Sequence, residues 1–281
     1  MPMMMVFIML VNILDGLISM NKKIIFFDID GTLYLPELGG ITPAVREAIA
    51  KTQQKGHLCF IASGRPYGYI ADNVKNIGFD GYVLANGANI KYQNQDLSVR
   101  VMNQEDVKQL CQKLSLKDIE YVLQTPDACY MNKNNECLLK FYSTCNIDFK
   151  NFCFDYDEDE IIKKTVKMEV WVKNQEELEY AKSCYGKFAY ELHPDNHSME
   201  VYAKDVSKAT GILDVLNELN ISLDNSYCFG DGPNDVEMFE TVAHPIAMGN
   251  AIEIIKEKAE TVCLSIHEDG VAHKLNELFD L

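Results

Sequence analysis

Short apolar runs alternate with amphipathic stretches along the first third of the chain. The amphipathic stretches carry helix signals: Thr42 and Pro43 stand where an N-cap and a first helical residue belong, and Gly56 and Gly78 stand where helices stop. This alternation predicts an α/β fold, which we interpret as a Rossmann-like three-layer core with a parallel sheet. The predicted strands are Lys23–Phe27, His57–Ala62 and Tyr82–Ala85, and the predicted helices are Pro43–Lys55 and Pro66–Ile77.

Between about residues 88 and 197 this alternation gives way to polar stretches, short strand-like runs and two helical segments. Asp155–Glu160 is an almost continuous acidic run, which we interpret as a solvated loop. The whole block is predicted to be a separate α+β domain inserted into the first. Its predicted strands are Tyr121–Gln124, Cys137–Tyr142, Lys167–Val172 and Phe188–Leu192, and its predicted helices are Glu105–Leu114 and Gln175–Tyr185.

The alternation of strands and helices returns from about Ser198. We therefore predict a core domain in two parts, 20–87 and 198–281, with the inserted domain at 88–197. The predicted strands of the second part are Met199–Ala203, Tyr227–Phe229 and Pro245–Ala247, and its predicted helices are Lys208–Leu219, Asn234–Thr241, Ala251–Ala259 and Val271–Phe279.

Residues 1–19 form an apolar, Met-rich leader that Asp15 interrupts. The apolar run is too short to span a bilayer, and it lacks the basic start and the small-residue cleavage site of a signal peptide. We interpret Met20 as the native start and the leader as an upstream extension. The alternative is a membrane-associating leader, which peptides upstream of Met20 in native protein would support.

The composition narrows the choice of partners. The 281 residues are 47% hydrophobic and carry a formal net charge of −16, which disfavours binding to nucleic acid or to an anionic membrane surface. None of the nine cysteines forms a CxxC pair, so reduced thiols in a cytoplasmic protein are expected. We further expect a monomer or a weak homodimer.

Four short motifs stand at predicted strand ends or at a helix start. Two carboxylates follow the first strand in FFDIDGTL (26–33), and a serine follows the second strand in IASGRP (61–66). A lysine opens a helix in VSKATGI (206–212), and carboxylates follow a late strand in GDGPND (230–235). Because the carboxyl ends of parallel strands line one crevice, we expect these side chains to converge. They are Asp28, Asp30, Ser63, Lys208 and Asp231.

Such a group of side chains favours phosphoryl-transfer chemistry. Clustered carboxylates repel one another and need a cation, and hard oxygen ligands with water suit Mg²⁺. A carboxylate can attack phosphorus and give an aspartyl-phosphate, while a second carboxylate protonates the leaving oxygen and then activates water. A lysine and Mg²⁺ would neutralise the charge of the transferring phosphoryl group.

The four motifs, in this order along the chain, resemble those of the haloacid dehalogenase-like superfamily. Their individual residues resemble those of its Cof-type phosphatases, which carry a large α/β cap domain. The resemblance covers roughly residues 22–281. It implies that Asp28 is the nucleophile and a Mg²⁺ ligand, and that Asp30 is the general acid and base and lends its backbone carbonyl to the metal. It implies that Ser63 and Lys208 hold the phosphoryl group and that Asp231 is a further metal ligand.

The same resemblance implies supporting roles for other residues. Asn234 and Asp235 would support the metal site, and Asn86 stands where the family has its cap hinge. The implied substrate-binding residues are Gly31, Thr32, Gly64, Arg65, Asn86 and Asn234. Ala209 departs from the family pattern, because many relatives carry glycine after the lysine.

Three functions are consistent with this pattern. The first is a Mg²⁺-dependent phosphatase that hydrolyses small phosphorylated metabolites, either sugar phosphates or phosphorylated cofactors. The second is a sugar phosphomutase on the same scaffold. The third is a non-catalytic binding protein, which would be expected to lack one of the catalytic or metal-binding side chains.

Overall fold

A computed structural model describes residues 22–35, 39–144, 147, 149–193 and 195–281. These residues form two compact units. Unit 1 contains the described residues up to Ala62 together with Asn76–Tyr82 and Ile212–Leu281, and unit 2 contains Ser63–Lys75 and Val83–Gly211. The predicted leader, 1–19, lies outside the described residues. The domain limits of 20–87, 88–197 and 198–281 stay predictions.

Strands and helices follow one another along the chain. In chain order the strands are β1 (Ile24–Phe27), β2 (Leu58–Ala62), β3 (Gly81–Leu84), β4 (Asn89–Tyr92), β5 (Gln95–Val99), β6 (Glu120–Gln124), β7 (Cys129–Met131), β8 (Phe152–Cys153), β9 (Lys167–Trp171), β10 (Phe188–Leu192), β11 (Ser198–Ala203), β12 (Ser226–Gly230), β13 (His244–Ala247) and β14 (Thr261–Val262). The helices are α1 (Pro43–Gln54), α2 (Asp72–Lys75), α3 (Gln104–Ser115), α4 (Glu136–Thr144), α5 (Glu158–Ile162), α6 (Gln175–Cys184), α7 (Lys208–Glu218), α8 (Val236–Thr241), α9 (Glu253–Lys258) and α10 (Gly270–Phe279).

Unit 1 is built on a parallel sheet whose strands lie in the order β14, β13, β12, β1 and β2. Every neighbouring pair among these five strands is parallel. The central strands are buried on both faces, which explains why the sequence reads as continuous apolar runs. Phe27 of β1 stacks on Phe229 of β12 with ring centroids 5.3 Å apart. The predicted α/β fold with a parallel sheet is confirmed.

Helix α1 begins as its sequence predicts. The Thr42 hydroxyl accepts a hydrogen bond of 3.3 Å from the Val45 amide, and Pro43 is the first helical residue. Helix α1 packs on α10, and the Lys55 ammonium donates to the carbonyl oxygens of Phe279 and Asp280 at the end of α10. These last carbonyls have no partner within their helix, so the lysine stabilises the helix end.

Unit 2 contains a mainly antiparallel sheet in the order β10, β11, β9, β6, β7 and β8. One face is apolar and packs against helices α3, α5 and α6 through Met168, Val170, Met199 and Val201. Because side chains alternate along a strand, the intervening residues of β9 and β11 point to the opposite face. That face carries charged residues, which are described below.

The segment Cys137–Tyr142, predicted as a strand, is instead part of helix α4. The buried residues Leu138 and Tyr142 stand four positions apart. This spacing places two side chains on one face of a helix or on one face of a strand, so the apolar pattern fits both elements. The Glu120 carboxylate accepts hydrogen bonds from the Cys137 and Leu138 amides, at 3.2 and 2.8 Å. A carboxylate on strand β6 thus satisfies the first amides of the helix, and the local sequence does not reveal this partner.

Two further predictions about local structure were wrong in part. The predicted helix Pro66–Ile77 is broken into a 3₁₀ turn at Tyr67–Tyr69 and the short helix α2, because Ile70 between them is extended. The acidic run Asp155–Glu160, predicted to be a loop, ends in the first turn of α5 with Asp157 as its N-cap. Acidic side chains are favourable there because they face the positive end of the helix dipole.

Within the described part of the chain, every helix is too short or too polar to span a membrane. The eight cysteines that the structure describes are free thiols.

Candidate active site

Asp28 and Asp231 occupy equivalent places on neighbouring strands of unit 1. Asp28 follows the last residue of β1, and Asp231 follows the last residue of β12. The two strands are parallel with Phe27 opposite Phe229, so both carboxylates emerge at the same edge of the sheet. The Asp28 amide donates a 3.0 Å hydrogen bond to the Phe229 carbonyl, which holds the chain in register past the strand end.

Three carboxylates of unit 1 form a cluster, which we call the carboxylate cluster: Asp28, Asp231 and Asp235. Each offers one oxygen, and these oxygens lie within 4.8 Å of one another. Asp28 and Asp235 are buried, and Asp231 is partly buried. The Asp235 carboxylate accepts hydrogen bonds from the amides of Asp231 and Gly232, at 3.0 and 3.1 Å, which fixes its orientation.

Buried carboxylates at this separation repel one another unless a cation lies between them. Carboxylate oxygens are hard donors of the kind that Mg²⁺ prefers, and the ion usually completes its coordination with water. The donor chemistry of the carboxylate cluster therefore fits a magnesium ion.

The turn after β1 packs against this cluster. Gly31 adopts a left-handed φ of +86°, and a Cβ atom placed on it would lie 2.2 Å from the Asp231 Oδ2 atom. The Thr32 hydroxyl donates a 3.1 Å hydrogen bond to Asp231 Oδ1. Only glycine at position 31 satisfies both the backbone angle and the close approach.

Two other residues predicted to support the metal site are exposed in unit 1. Asp30 is exposed on the turn, and its carboxylate is not a member of the carboxylate cluster. Asn234 is exposed within a 3₁₀ turn at Pro233–Asp235. Their contributions to a metal site, through the Asp30 carbonyl and the Asn234 side chain, stay predictions.

The remaining predicted site residues belong to unit 2. Ser63 is 3% exposed, and its hydroxyl accepts a 3.2 Å hydrogen bond from the Arg65 amide. Lys208 is the first residue of α7 and is also 3% exposed. Asn86 is buried in a left-handed conformation with φ of 57°. That Ser63 and Lys208 converge with Asp28, Asp30 and Asp231 stays a prediction.

Sequence reasoning missed Asn250 of unit 1. Its side-chain amide donates a 2.8 Å hydrogen bond to the Gly31 carbonyl, and its side-chain oxygen accepts a 2.9 Å bond from the Ile266 amide. Asn250 therefore holds the turn that carries Gly31 and Thr32. A signal was available, since Asn250 is a polar residue three positions after the end of β13, and most of the predicted site residues also follow strand ends.

Sequence reasoning also missed a group of charged residues on β9 and β11 of unit 2. Lys167, Glu169 and Glu200 are all largely or fully buried. Lys167 pairs with Glu200, and Glu200 lies opposite Glu169 in the strand register. Charged residues alternating with apolar ones usually indicate a solvated strand face, so the sequence contained no signal of this burial.

Burial, reinforced by the neighbouring charge of Glu200, raises the pKa of Glu169 to about 8 from its ordinary 4.5. The folded state therefore binds a proton more readily than the unfolded state, and the free energy of unfolding falls as pH rises from about 4.5 to 8. We expect Glu169→Gln to remove this loss, on the order of 1 kcal/mol per pH unit, so that the variant gains stability over the wild type as pH rises. Urea unfolding of the variant and the wild type at pH 6, 7 and 8 measures the free energy of unfolding of each protein.

The matched control for this prediction is Glu179→Gln, which changes an exposed glutamate on α6. It should keep the pH dependence of the wild type. Equal pH slopes for Glu169→Gln and the wild type would contradict the raised pKa.

Comparison with known proteins adds evidence independent of this geometry. The model of the haloacid dehalogenase-like hydrolase family matches residues 25–275. YkrA of Bacillus subtilis (strain 168), provisionally named a phosphatase, is 28% identical over 263 residues, covering 92% of this chain and 98% of the relative. YcsE of the same strain, named a 5-amino-6-(5-phospho-D-ribitylamino)uracil phosphatase, is 27% identical over 256 residues, covering 90% of this chain and 94% of the relative.

A solved structure gives a similar result. The HAD subclass IIB sugar phosphatase BT4131 is 27% identical and superposes with a TM-score of 0.76, covering 92% of this chain and 100% of that chain.

Proposed function

Because this chain belongs to the haloacid dehalogenase-like hydrolase family, we propose that it is a Mg²⁺-dependent phosphatase of small phosphorylated metabolites. The observation that carries the proposal is the carboxylate cluster at the carboxyl ends of β1 and β12. The names of two similar proteins support the substrate class, since one is a sugar phosphatase and the other acts on a phosphorylated ribitylaminouracil. We therefore propose sugar phosphates or phosphorylated cofactors as substrates.

In the proposed reaction, a carboxylate oxygen of Asp28 attacks phosphorus, and the bond between phosphorus and the ester oxygen breaks. Asp30 gives its proton to that leaving oxygen, which departs as an alcohol. Asp30, now a carboxylate, takes a proton from water, and the water oxygen attacks the phosphorus of the aspartyl-phosphate. The bond between phosphorus and the Asp28 oxygen breaks, so inorganic phosphate leaves and the Asp28 carboxylate is restored. Membership of the carboxylate cluster supports this division, because a cation bound there would keep the Asp28 carboxylate ionised for attack, whereas Asp30 lies outside the cluster.

We propose that Asp28 and Asp231 hold Mg²⁺, with Asp235, the Asp30 carbonyl and Asn234 in support. The bound ion would supply positive charge against the phosphoryl oxygens. The hydrogen bonds from the Asp231 and Gly232 amides keep the Asp235 carboxylate in place for this task.

The phosphoryl group would be held by Ser63 and Lys208. Burial of both side chains supports this role, because a charged hydrogen bond is stronger away from water. We propose that the substrate is further contacted by Gly31, Thr32, Gly64, Arg65, Asn86 and Asn234.

The test is phosphate release from a panel of sugar phosphates, nucleotides and phosphorylated cofactors. We expect release with Mg²⁺ and a fall of about a hundredfold or more in EDTA, because the charge on the phosphoryl group loses its main neutralising partner. Restoring Mg²⁺ should restore the rate. Equal rates in EDTA would contradict metal dependence, and isomerised sugar phosphate without free phosphate would show a mutase.

A further inference from the structure

Lys167 of β9 is almost completely buried, so its positive charge needs close partners. Lys167 is 1% exposed, and an ammonium that deep is stable only when it is paired and hydrogen-bonded. Its Nζ atom pairs with the Glu200 carboxylate and donates a 2.7 Å hydrogen bond to the Gly64 carbonyl. Lys167 therefore joins the sheet of unit 2 to the residue that directly follows Ser63.

Glu200 extends the connection to a second segment. Its Oε2 atom accepts a 2.9 Å hydrogen bond from the side-chain amide of Asn86. A Cβ atom on Gly64 would lie 2.7 Å from the Asn86 side-chain oxygen and 3.5 Å from Glu200 Oε2. The segments that carry these residues are thus packed as closely as a glycine allows.

The backbone joins the same segments. The Ala85 amide donates to the Arg65 carbonyl at 3.1 Å, and the Asn86 amide donates to the Ser63 carbonyl at 3.3 Å. Ala85 and Asn86 both have positive φ, at 50° and 57°, a conformation that persists only where surrounding contacts impose it. The charged network of Lys167 and Glu200 supplies such contacts.

The strained turn also touches the start of α7. A Cβ atom on Gly87 would lie 2.1 Å from the Ser207 carbonyl oxygen, so the turn and the residue before Lys208 are in direct contact. The turn therefore lies between the segment of Ser63 and the segment of Lys208. Whatever fixes the turn also fixes the relative placement of those two side chains.

We propose that Lys167 and Glu200 are positioning residues, which hold Gly64 and Asn86 and thereby set the placement of Ser63 and Lys208. This inference rests on the proposed function, in which Ser63 and Lys208 hold the phosphoryl group. Neither positioning residue needs to touch substrate. Their effect on turnover comes from geometry, since small displacements of binding groups cost much of the rate.

The experiment compares Lys167→Met, Glu200→Gln and the double variant Lys167→Met/Glu200→Met with the wild type, using p-nitrophenyl phosphate with Mg²⁺. We expect each single change to lower kcat by about tenfold or more, with KM within about threefold. The double variant removes both charges of the Lys167–Glu200 pair, so its stability should exceed that of Lys167→Met. Its kcat should nevertheless stay low, because the Gly64 and Asn86 contacts are still missing.

The control is Lys91→Met, which removes another buried lysine, one paired with Asp96 at 2.7 Å on the β4–β5 hairpin. It should leave kcat within about twofold of the wild type, because the ion pair that it removes joins β4 to β5 and not to Gly64 or Asn86. A second readout needs no turnover: hydrogen exchange of the Ala85 and Asn86 amides should be about tenfold or more faster in the single variants than in the wild type.

Turnover and hydrogen exchange together separate the proposed phosphatase function from the positioning role of Lys167 and Glu200. A wild type that hydrolyses nothing would refute the proposed function, and the exchange rates would still report whether Lys167 and Glu200 hold the turn. Unchanged exchange at Ala85 and Asn86 would overturn the positioning role. A double variant whose kcat recovers together with its stability would also overturn it, because the pair would then serve folding alone.

Discussion

Asp28→Asn is expected to lower kcat by about 10⁴-fold or more, since removal of a covalent nucleophile leaves only the residual effect of binding groups. An amide oxygen is a far weaker nucleophile than a carboxylate and carries no charge for a metal. The protein should still fold, because asparagine has nearly the same shape. Without Mg²⁺ the variant should unfold at the same or a higher urea concentration than the wild type, since one of three close negative charges is gone.

Asp224→Asn is the matched control, because it makes the same chemical change at an exposed aspartate in the 3₁₀ turn before β12. It should leave both turnover and stability unchanged. Phosphate release by Asp28→Asn within about tenfold of the wild type would rule out Asp28 as nucleophile. A large loss with Asp224→Asn would mean that the assay responds to surface charge and not to the site.

Gly31→Ala is expected to reduce turnover by about a hundredfold or more, although it adds one methyl group and no charge. The new Cβ atom would meet the Asp231 carboxylate at 2.2 Å, so either the turn or the carboxylate must move. Movement of Asp231 would widen the carboxylate cluster and weaken Mg²⁺ binding. Kinetics over a range of Mg²⁺ concentrations should therefore show a raised requirement for the metal.

Gly56→Ala separates this collision from the cost of the backbone angle. Gly56 has almost the same φ as Gly31, +87° against +86°, but among the described residues no atom beyond its chain neighbours lies within 4 Å of the added Cβ position. Both variants should lose about 1–2 kcal/mol of stability from the left-handed conformation. Only Gly31→Ala should lose activity, and equal kinetics for the two variants would contradict the role of Gly31 beside Asp231.

The fold of unit 1 could be predicted because its signals are local. Apolar runs marked the buried strands, and Thr42, Pro43 and Gly56 marked the ends of the first helix, where the structure has them. The family resemblance is confirmed by the family model, which matches residues 25–275. Candidate site residues could be chosen because most of them directly follow predicted strand ends; whether they bind phosphate stays a prediction.

Helix α4 shows where such prediction fails. Cys137–Tyr142 is apolar enough for a strand, and the Glu120 carboxylate caps the helix that it forms. The first helix is capped by a neighbour in sequence, Thr42, whereas α4 is capped by a side chain from β6. Local periodicity cannot decide between two elements when the deciding partner lies elsewhere in the chain.

The sequence by itself determined which residues can do chemistry: two carboxylates after β1, a serine after β2, a lysine at the start of α7 and carboxylates after β12. The tertiary structure decided which oxygens come together, namely those of Asp28, Asp231 and Asp235. It also decided that Lys167 is buried against a carbonyl 103 residues away. The physical reason is range: periodicity, caps and turns act between neighbours, whereas charge pairing and burial depend on packing between distant segments.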